Sequence, residues 1–381
     1  MTTQTLKNWK EFKFKDFVKL QRGFDLPKQD RRDGIYPVIA STSITGYHDK
    51  YKAEPPCVTT GRSGALGEVL YIKEKCWPLN TALWVKDFKG NNPYFVYNLL
   101  KTLHLEQYNS GAGVPTLNRN HLDQIKVGVP DITAQESIAD ILSTYDDLIE
   151  NNTRRIKILE QMAQAIYTEW FVNFRFPGHK KVNMIDSKTE FDKIPEGWNV
   201  VSMGDIADFI NGYAFKPNHL GSEGLPVIKI PELRSGVLEK TPRNSGELIP
   251  KKYLIKTGDI LFSWSATLLV NIWNSEDGLL NQHLFKVTPK ENYLYSFIFH
   301  LLTNQIEKYR AHAVGATMQH LRRDVVESAK VLLPNKDLLL KFDDIVSIIL
   351  KERSNLIIQN QKLRQTRDSL LPKLVTGEIR V

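Results

Sequence analysis

Apolar residues recur at alternating four- and three-residue intervals along two long stretches of this chain. In the first, Ile138, Leu142, Tyr145, Ile149, Asn152, Ile156, Leu159, Ala163, Ile166 and Trp170 share one stripe, the spacing of a coiled-coil seam. Ahead of it, Thr133-Ala134-Gln135-Glu136 fits a capping box, with Thr133 accepting from the backbone and Glu136 reaching back. Pro177-Gly178 sets the downstream limit. In the second stretch, Phe342, Val346, Ile349, Arg353, Leu356, Asn360, Leu363, Arg367 and Leu370 each follow their counterparts by 204 positions, and Pro372 is expected to break or kink the helix. Each predicted helix has about 37 residues, roughly 55 Å at 1.5 Å per residue.

Before each seam the pattern changes to short β-like runs separated by Gly, Pro, Asn and Ser: 36–40, 69–72 and 82–85, then 227–230, 260–264 and 284–287. Helices are predicted over 94–108 and 293–310, with loops following at 109–116 and 313–317. The two halves repeat one another. Trp9, Gly23 and Pro37-Val38-Ile39 return 189 positions later as Trp198, Gly212 and Pro226-Val227-Ile228. Further on, Lys126-Val127-Gly128-Val129-Pro130 answers Lys330-Val331-Leu332-Leu333-Pro334. A repeat this long is no solenoid, whose periods run roughly 20–50 residues. It means two similar domains, each followed by a helix: a domain at 1–131, a spacer helix at 132–176, a second domain at 177–334 and a C-terminal helix at 335–381. The expected fold class is α+β. Each domain carries a mixed or mainly antiparallel, barrel-like sheet, and two long antiparallel coiled-coil helices complete a pseudo-two-fold repeat.

Each seam holds one asparagine near its middle. If a pseudo-dyad relates the copies, pairing Asn152 with Asn360 also pairs Ile156 with Leu356. Polar meets polar and apolar meets apolar, fixing register at some cost in stability. The alternative is two solvated residues at the seam edge.

Composition narrows the class. The chain has 381 residues, enough for two cores, and a formal net charge of +8, which favours a polyanionic partner. Two domains on one helical ruler suit a target with two half-sites, and the charge points to DNA. Cys57 and Cys76 are the only cysteines and read as reduced thiols in a cytosol. The first residues lack the apolar core of a signal peptide, and no apolar run approaches the ~20 residues of a membrane span. No Cys/His spacing marks a metal site, and His283 and His320 are not expected to ligate one. Asn91-Asn92-Pro93-Tyr94 lies one mismatch from the adenine-methyltransferase loop. The Gly111-Ala112-Gly113 turn follows within 20 residues, leaving no room for a cofactor-binding βαβ unit, so Asn91 to Pro93 reads as a helix start.

Three motifs then carry a family resemblance. Met162-Ala163-Gln164-Ala165-Ile166-Tyr167-Thr168-Glu169-Trp170-Phe171-Val172-Asn173-Phe174-Arg175-Phe176-Pro177 resembles the central conserved helix of type I restriction–modification specificity subunits. Ile194-Pro195-Glu196-Gly197-Trp198 resembles the opening of their second domain, and Ser369-Leu370-Leu371-Pro372-Lys373-Leu374-Val375-Thr376-Gly377-Glu378-Ile379 their C-terminal helix ending. The resemblance spans the whole chain. It implies a subunit without catalysis of its own, whose two target-recognition domains read the halves of a split double-stranded DNA site. It implies that the helices dock two methyltransferase subunits, which bring S-adenosylmethionine chemistry to adenine N6, and that a motor-nuclease subunit using ATP and Mg joins some complexes. No cofactor is expected on this chain.

Loops nominate the DNA contacts. In Thr60-Gly61-Arg62-Ser63-Gly64-Ala65-Leu66-Gly67, the glycines let backbone approach phosphate, and Arg62, with Ser63 beside it, offers a fork for guanine. The counterpart Phe262-Ser263-Trp264-Ser265-Ala266 has neither glycine nor arginine, and nominates Ser263 and Ser265. Arg22 in Gln21-Arg22-Gly23 pairs with Asn211 and Tyr213 in Asn211-Gly212-Tyr213; Asn118 and Arg119 pair with Gln319 and His320. Lys216, Lys229, Arg322 and Arg323 are nominated for phosphate, which positions without specifying. Each loop reads equally as a solvated polar turn. The rival classes are a protein–protein scaffold, separated by salt-dependent duplex binding, and a self-sufficient modification enzyme, separated by methyl transfer from the isolated chain. Four residues inserted between Glu150 and Arg155 are expected to lengthen the ruler by about 6 Å.

Overall fold

The first long helix starts two residues earlier than the capping-box pattern indicates. Asp131 Oδ1 accepts from the Ala134 amide (3.0 Å), and Asn335 Oδ1 accepts from the Leu338 amide (3.0 Å), so an Asx after each Pro130 and Pro334 is the N-cap. Thr133 therefore lies inside the first turn. The computed structural model describes residues 9–111, 113–265, 267–313 and 321–381. The chain divides into two units, Met1–Glu150 with Gln361–Val381, and Asn151–Asn360.

The first unit contains strands β1 (Lys10–Lys13), β2 (Lys19–Arg22), β3 (Tyr36–Ile39), β4 (Ile44–His48), β5 (Cys57–Gly61), β6 (Val69–Ile72), β7 (Trp77–Pro78), β8 (Ala82–Asp87) and β9 (Lys126–Val129). They form an antiparallel sheet of order β2-β8-β5-β6, a second sheet β4-β3-β7, and the ribbon β1-β9. In the second unit, β10 (Met184–Asp186) and β11 (Lys193–Pro195) make a hairpin. The others are β12 (Asn199–Ser202), β13 (Ala207–Asn211), β14 (Leu225–Ile228), β15 (Arg243–Asn244), β16 (Leu254–Ile255), β17 (Ile260–Ser263), β18 (Leu269–Ile272), β19 (Gly278–Leu280), β20 (Leu284–Pro289) and β21 (Lys330–Leu333). Their orders, β13-β20-β17-β18 and β12-β21, repeat those of the first unit, while β15 and β16 enlarge the sheet around β14-β19. Among the described strands, β3–β7 and β14–β19 are the parallel pairs. Each domain is thus a mixed, mainly antiparallel assembly of two sheets and a ribbon rather than one continuous sheet.

The sheets are stitched where the repeated glycines lie. Phe24 bridges Leu79 and Tyr213 bridges Asn281. A Cβ on Gly23 would sit 2.2 Å from the Leu79 carbonyl oxygen, and one on Gly212 would sit 2.1 Å from that of Asn281. Only glycine fits such a backbone approach, which explains its recurrence. The middle strands β5 and β17 are buried along their whole length. Helix Pro93–Thr102 packs Phe95, Val96, Leu99 and Leu100 into the first core; Tyr295–Ala313 packs Phe297, Ile298, Leu301 and Leu302 into the second. The first of these helices stops short of the expected 108: His104 has φ 47°, a left-handed break, and Leu105–Tyr108 is a 3-10 turn.

The spacer helix Ile132–Tyr167 continues as a π turn over Thr168–Val172, and the C-terminal helix spans Lys336–Val375. Pro372 does not end the latter, which runs three residues further. Every residue of both seams is buried or half-buried. Within the second unit the helices run antiparallel: Arg155 Nη2 meets Glu352 Oε1 at 2.8 Å and Arg353 Nε meets Glu160 Oε1 at 2.6 Å. Asn152 Nδ2 donates to Asn360 Oδ1 (3.0 Å) and to Gln359 Oε1 (3.1 Å), and Asn360 Nδ2 donates to Thr153 Oγ1 (3.2 Å). The asparagines expected to meet are therefore in contact, 1% and 3% exposed, and not solvated edge residues. In the first unit Arg367 pairs with Asp146, which also accepts from the Tyr94 hydroxyl.

Candidate nucleic-acid interface

Strand register brings the separately nominated loops of the first domain together. Arg22 ends β2 opposite Leu83, and Thr60 on β5 faces Leu83 from the other side of β8. Arg22 and Arg62 thus leave the same end of one sheet. The 109–118 loop closes on them: the Gly64 amide donates to Pro115 O (2.9 Å) and the Leu117 amide to Arg62 O (2.8 Å). The result is a cleft of about 430 Å³ lined by Arg22, Arg62, Thr116, Asn118, Arg119 and Asn120. Gly64 has φ +92°, a left-handed conformation that keeps this turn tight against the loop. Asn118 Oδ1 caps the turn Arg119–Leu122 by accepting from the Asn120 amide (2.9 Å). Ser63 is held through its backbone, whose carbonyl accepts from Ser41 Oγ (2.6 Å).

Two residues beyond the nominated set organise this cleft. Asp25 Oδ1 accepts from Arg22 Nη2 (2.9 Å) and from Asn80 Nδ2, and the Asn80 carbonyl accepts from Arg62 Nη1 (3.1 Å). Three guanidinium groups therefore surround one concavity, and Asp25 is the carboxylate joined to it.

The second domain repeats the backbone frame with different side chains. Gly23 and Gly212 donate to Ala82 O and Leu284 O; Phe24 and Tyr213 donate to Pro78 O and Leu280 O; Leu117 and Leu321 donate to Arg62 O and Trp264 O. Arg62 thus corresponds to Trp264, Asn80 to Gln282 and Arg22 to Asn211. The correspondence extends to a hydrogen bond: Trp264 Nε1 donates to Gln282 O at 3.1 Å, as Arg62 Nη1 does to Asn80 O. Trp264, not the flanking serines, holds the reader position. Ser263 is fully buried, with Oγ on Ser265 O (3.2 Å), and Ser265 is 6% exposed. Both are withdrawn as base contacts because strand alternation and the 263–265 turn point them into protein. An alignment of Asn80-Thr81-Ala82 with Gln282-His283-Leu284 was the sequence signal for Asn80 and Gln282.

Tyr213 rings against Phe215 (5.0 Å) and Tyr253 (5.5 Å), presenting a half-buried aromatic group beside exposed Asn211. Lys216 is exposed; Lys229 is half-buried, its amide on Glu232 Oε2 (3.0 Å). Arg322 and Arg323 are exposed and paired with Asp324 (2.8 Å) and Glu327 (2.7 Å). Gln319 and His320 lie outside the described residues, and the expected pairing shifts: with Leu117 equivalent to Leu321, Arg322 and Arg323 stand where Asn118 and Arg119 do.

The methyltransferase-like stretch is structural. Asn92 Oδ1 accepts from the Tyr94 and Phe95 amides (2.9 and 3.0 Å), capping helix Pro93–Thr102, and Asn91 Nδ2 donates to Phe17 O (2.8 Å). Among the described residues no group of His, Cys, Asp or Glu is placed to hold a metal ion, and no helix is long and apolar enough to cross a membrane.

The chain matches the type I restriction modification DNA specificity domain twice, at residues 6–161 and 195–365. It is 30% identical over 305 residues to the type I restriction enzyme MjaIX specificity subunit of Methanocaldococcus jannaschii, covering 75% of this chain and 69% of that one. It is 25% identical over 356 residues to the HindI specificity subunit of Haemophilus influenzae, covering 75% and 77%. Its fold is shared with a type I restriction-modification S subunit from M. genitalium, at a TM-score of 0.66, 18% identity and 98% of both chains. With the family's domain present in each half, the chain belongs to the type I restriction–modification DNA specificity family.

Proposed function

We propose that this chain is the DNA sequence-specificity subunit of a type I restriction–modification complex. Its two recognition domains read the two halves of a split duplex target. The observation that carries this reading is the duplicated domain: one backbone frame appears twice, with different side chains at the same loop positions. Two such frames suit a bipartite target with unlike halves. Arg22, Arg62, Asn118 and Arg119 read one half; Asn211, Tyr213 and Trp264 face the other, and Lys216 and Lys229 hold phosphate.

The chain contributes no catalysis in this reading. Two methyltransferase subunits dock on the paired helices, where Ile158, Met162 and Ile348 expose apolar side chains. They supply S-adenosylmethionine chemistry at adenine N6, and a motor-nuclease subunit with ATP and Mg completes the restriction form in the cytoplasm. The test is methylome sequencing of cells expressing the chain with its methyltransferase partner, against cells with the methyltransferase alone. A new bipartite motif carrying N6-methyladenine, present only with this chain, is expected. A stable complex on DNA that yields no motif would refute the role, and so would methyl transfer by the isolated chain.

A further inference from the structure

We propose that Asp25 and Asn80 are positioning residues that hold Arg22 and Arg62 as a guanine-reading pair, a device present in the first recognition domain alone. The inference rests on the reading of the chain as a DNA specificity subunit.

A loose guanidinium on a long stem follows any phosphate; one held in a fixed plane selects an acceptor pair of matching geometry. Here both are held by one chain of groups. Arg22 Nη2 donates to Asp25 Oδ1 (2.9 Å) at the surface, Asn80 Nδ2 donates to the same oxygen, and Arg62 Nη1 donates to the main-chain carbonyl of Asn80 (3.1 Å). Asn80 is itself fixed, its amide on Phe24 O (3.0 Å). One bond on each guanidinium leaves most of its five N–H groups unused. Both side chains border the cleft of about 430 Å³. Guanine presents N7 and O6 as two adjacent acceptors in the major groove, the pair that one arginine fork spans.

The second domain keeps the acceptor carbonyl, on Gln282, and replaces the carboxylate and both arginines. Counting from the shared glycines, Asp25 corresponds to Ala214, which has no carboxylate. Asn211 stands for Arg22 and Trp264 for Arg62, with the indole occupying the acceptor carbonyl that Arg62 uses. The amides of Asn211 and Gln282 suit adenine N6 and N7 instead. The guanine preference therefore belongs to one half-site.

The test uses the full-length chain in complex with its methyltransferase partner, selected on a random-sequence duplex library at fixed salt. The expected wild-type motif has guanine in one half. Asp25→Ala, which removes the acceptor of Arg22, is expected to lower guanine preference in that half about tenfold while the rest of the motif persists; Asn80→Ala removes only the side-chain donor to Asp25, keeps the main-chain carbonyl under Arg62, and is expected to have a smaller effect through Arg22. Asp25→Asn, which keeps an acceptor oxygen, has a smaller effect and serves if Asp25→Ala fails to fold. Arg62→Lys, which keeps charge and loses the fork, relaxes a guanine of the same half, whereas Asn211→Ala and Gln282→Ala relax the other half. A half-site altered by Arg62→Lys that contains no guanine overturns the inference, as does unchanged guanine preference in Asp25→Ala. A wild-type complex that selects no motif at all refutes the specificity reading itself, and this inference with it.

Discussion

Replacing the buried asparagines tests whether the helical pair is held by a polar lock. Asn152 and Asn360 are 1% and 3% exposed, and each takes part in two hydrogen bonds of 3.0–3.2 Å within the second unit. Asn152→Leu removes the donor from both Asn360 and the exposed Gln359, leaving the buried Asn360 amide oxygen facing an isobutyl group. Losing one side of a buried hydrogen-bonded pair costs about 1–3 kcal/mol, whereas replacing both sides by apolar groups is close to neutral. The neighbouring seam positions Ile156 and Leu356 are apolar, so two leucines would continue the seam. Either single substitution is therefore expected to destabilise by about 2 kcal/mol, and the Asn152→Leu/Asn360→Leu double to cost far less than the sum. For a unit of this size 1 kcal/mol corresponds to about 2–4 °C in Tm, so each single should fall by roughly 4–8 °C. Differential scanning calorimetry of the four proteins completes the cycle. Singles within 1 °C of wild type, or a double that loses the full sum, would refute the argument that the two amides act as one unit.

Three further outcomes are expected. Burial first, and the Arg353 charge second, push His300 down to about 4, so its neutral form stabilises the fold. That contribution is complete above about pH 6.5 and erodes as pH falls toward 4, by about 3 kcal/mol in all. His300→Gln should flatten the dependence of Tm on pH across that window, and an unchanged slope would count against it. Lys216→Ala and Lys229→Ala should weaken binding to all duplexes and each lower the salt slope by about one unit in fluorescence-anisotropy titrations; a changed sequence motif would reassign them to base reading. Gly212→Ala should cost about 1–3 kcal/mol because its Cβ would lie 2.1 Å from the Asn281 carbonyl oxygen, visible as a lower Tm in thermal unfolding.

How much of this was legible in the sequence depends on the range of the interaction. The seams were legible because helix periodicity is local, and the asparagine contact followed from the repeat offset alone. The N-cap of the first long helix is harder to read, because Thr133 and Glu136 fit a local template while Asp131, two residues earlier, caps the helix through the Ala134 amide. The break at His104 carries no Gly or Pro signal. Ser263 and Ser265 were nominated from polarity, and only strand register shows that both face inward. The loop analogy that nominated them was sound, since it located the position at which Trp264 replaces Arg62. Polarity marks a candidate reader, but the backbone decides which of three consecutive side chains reaches solvent. Asp25 and Asn80 illustrate the same limit from the other side. They lie 55 positions apart and act on the arginines rather than on any ligand, so only the fold brings their roles together. A recognition domain that keeps its frame while exchanging such pairs changes which base it reads without changing its core, which is the property two unlike copies on one chain require.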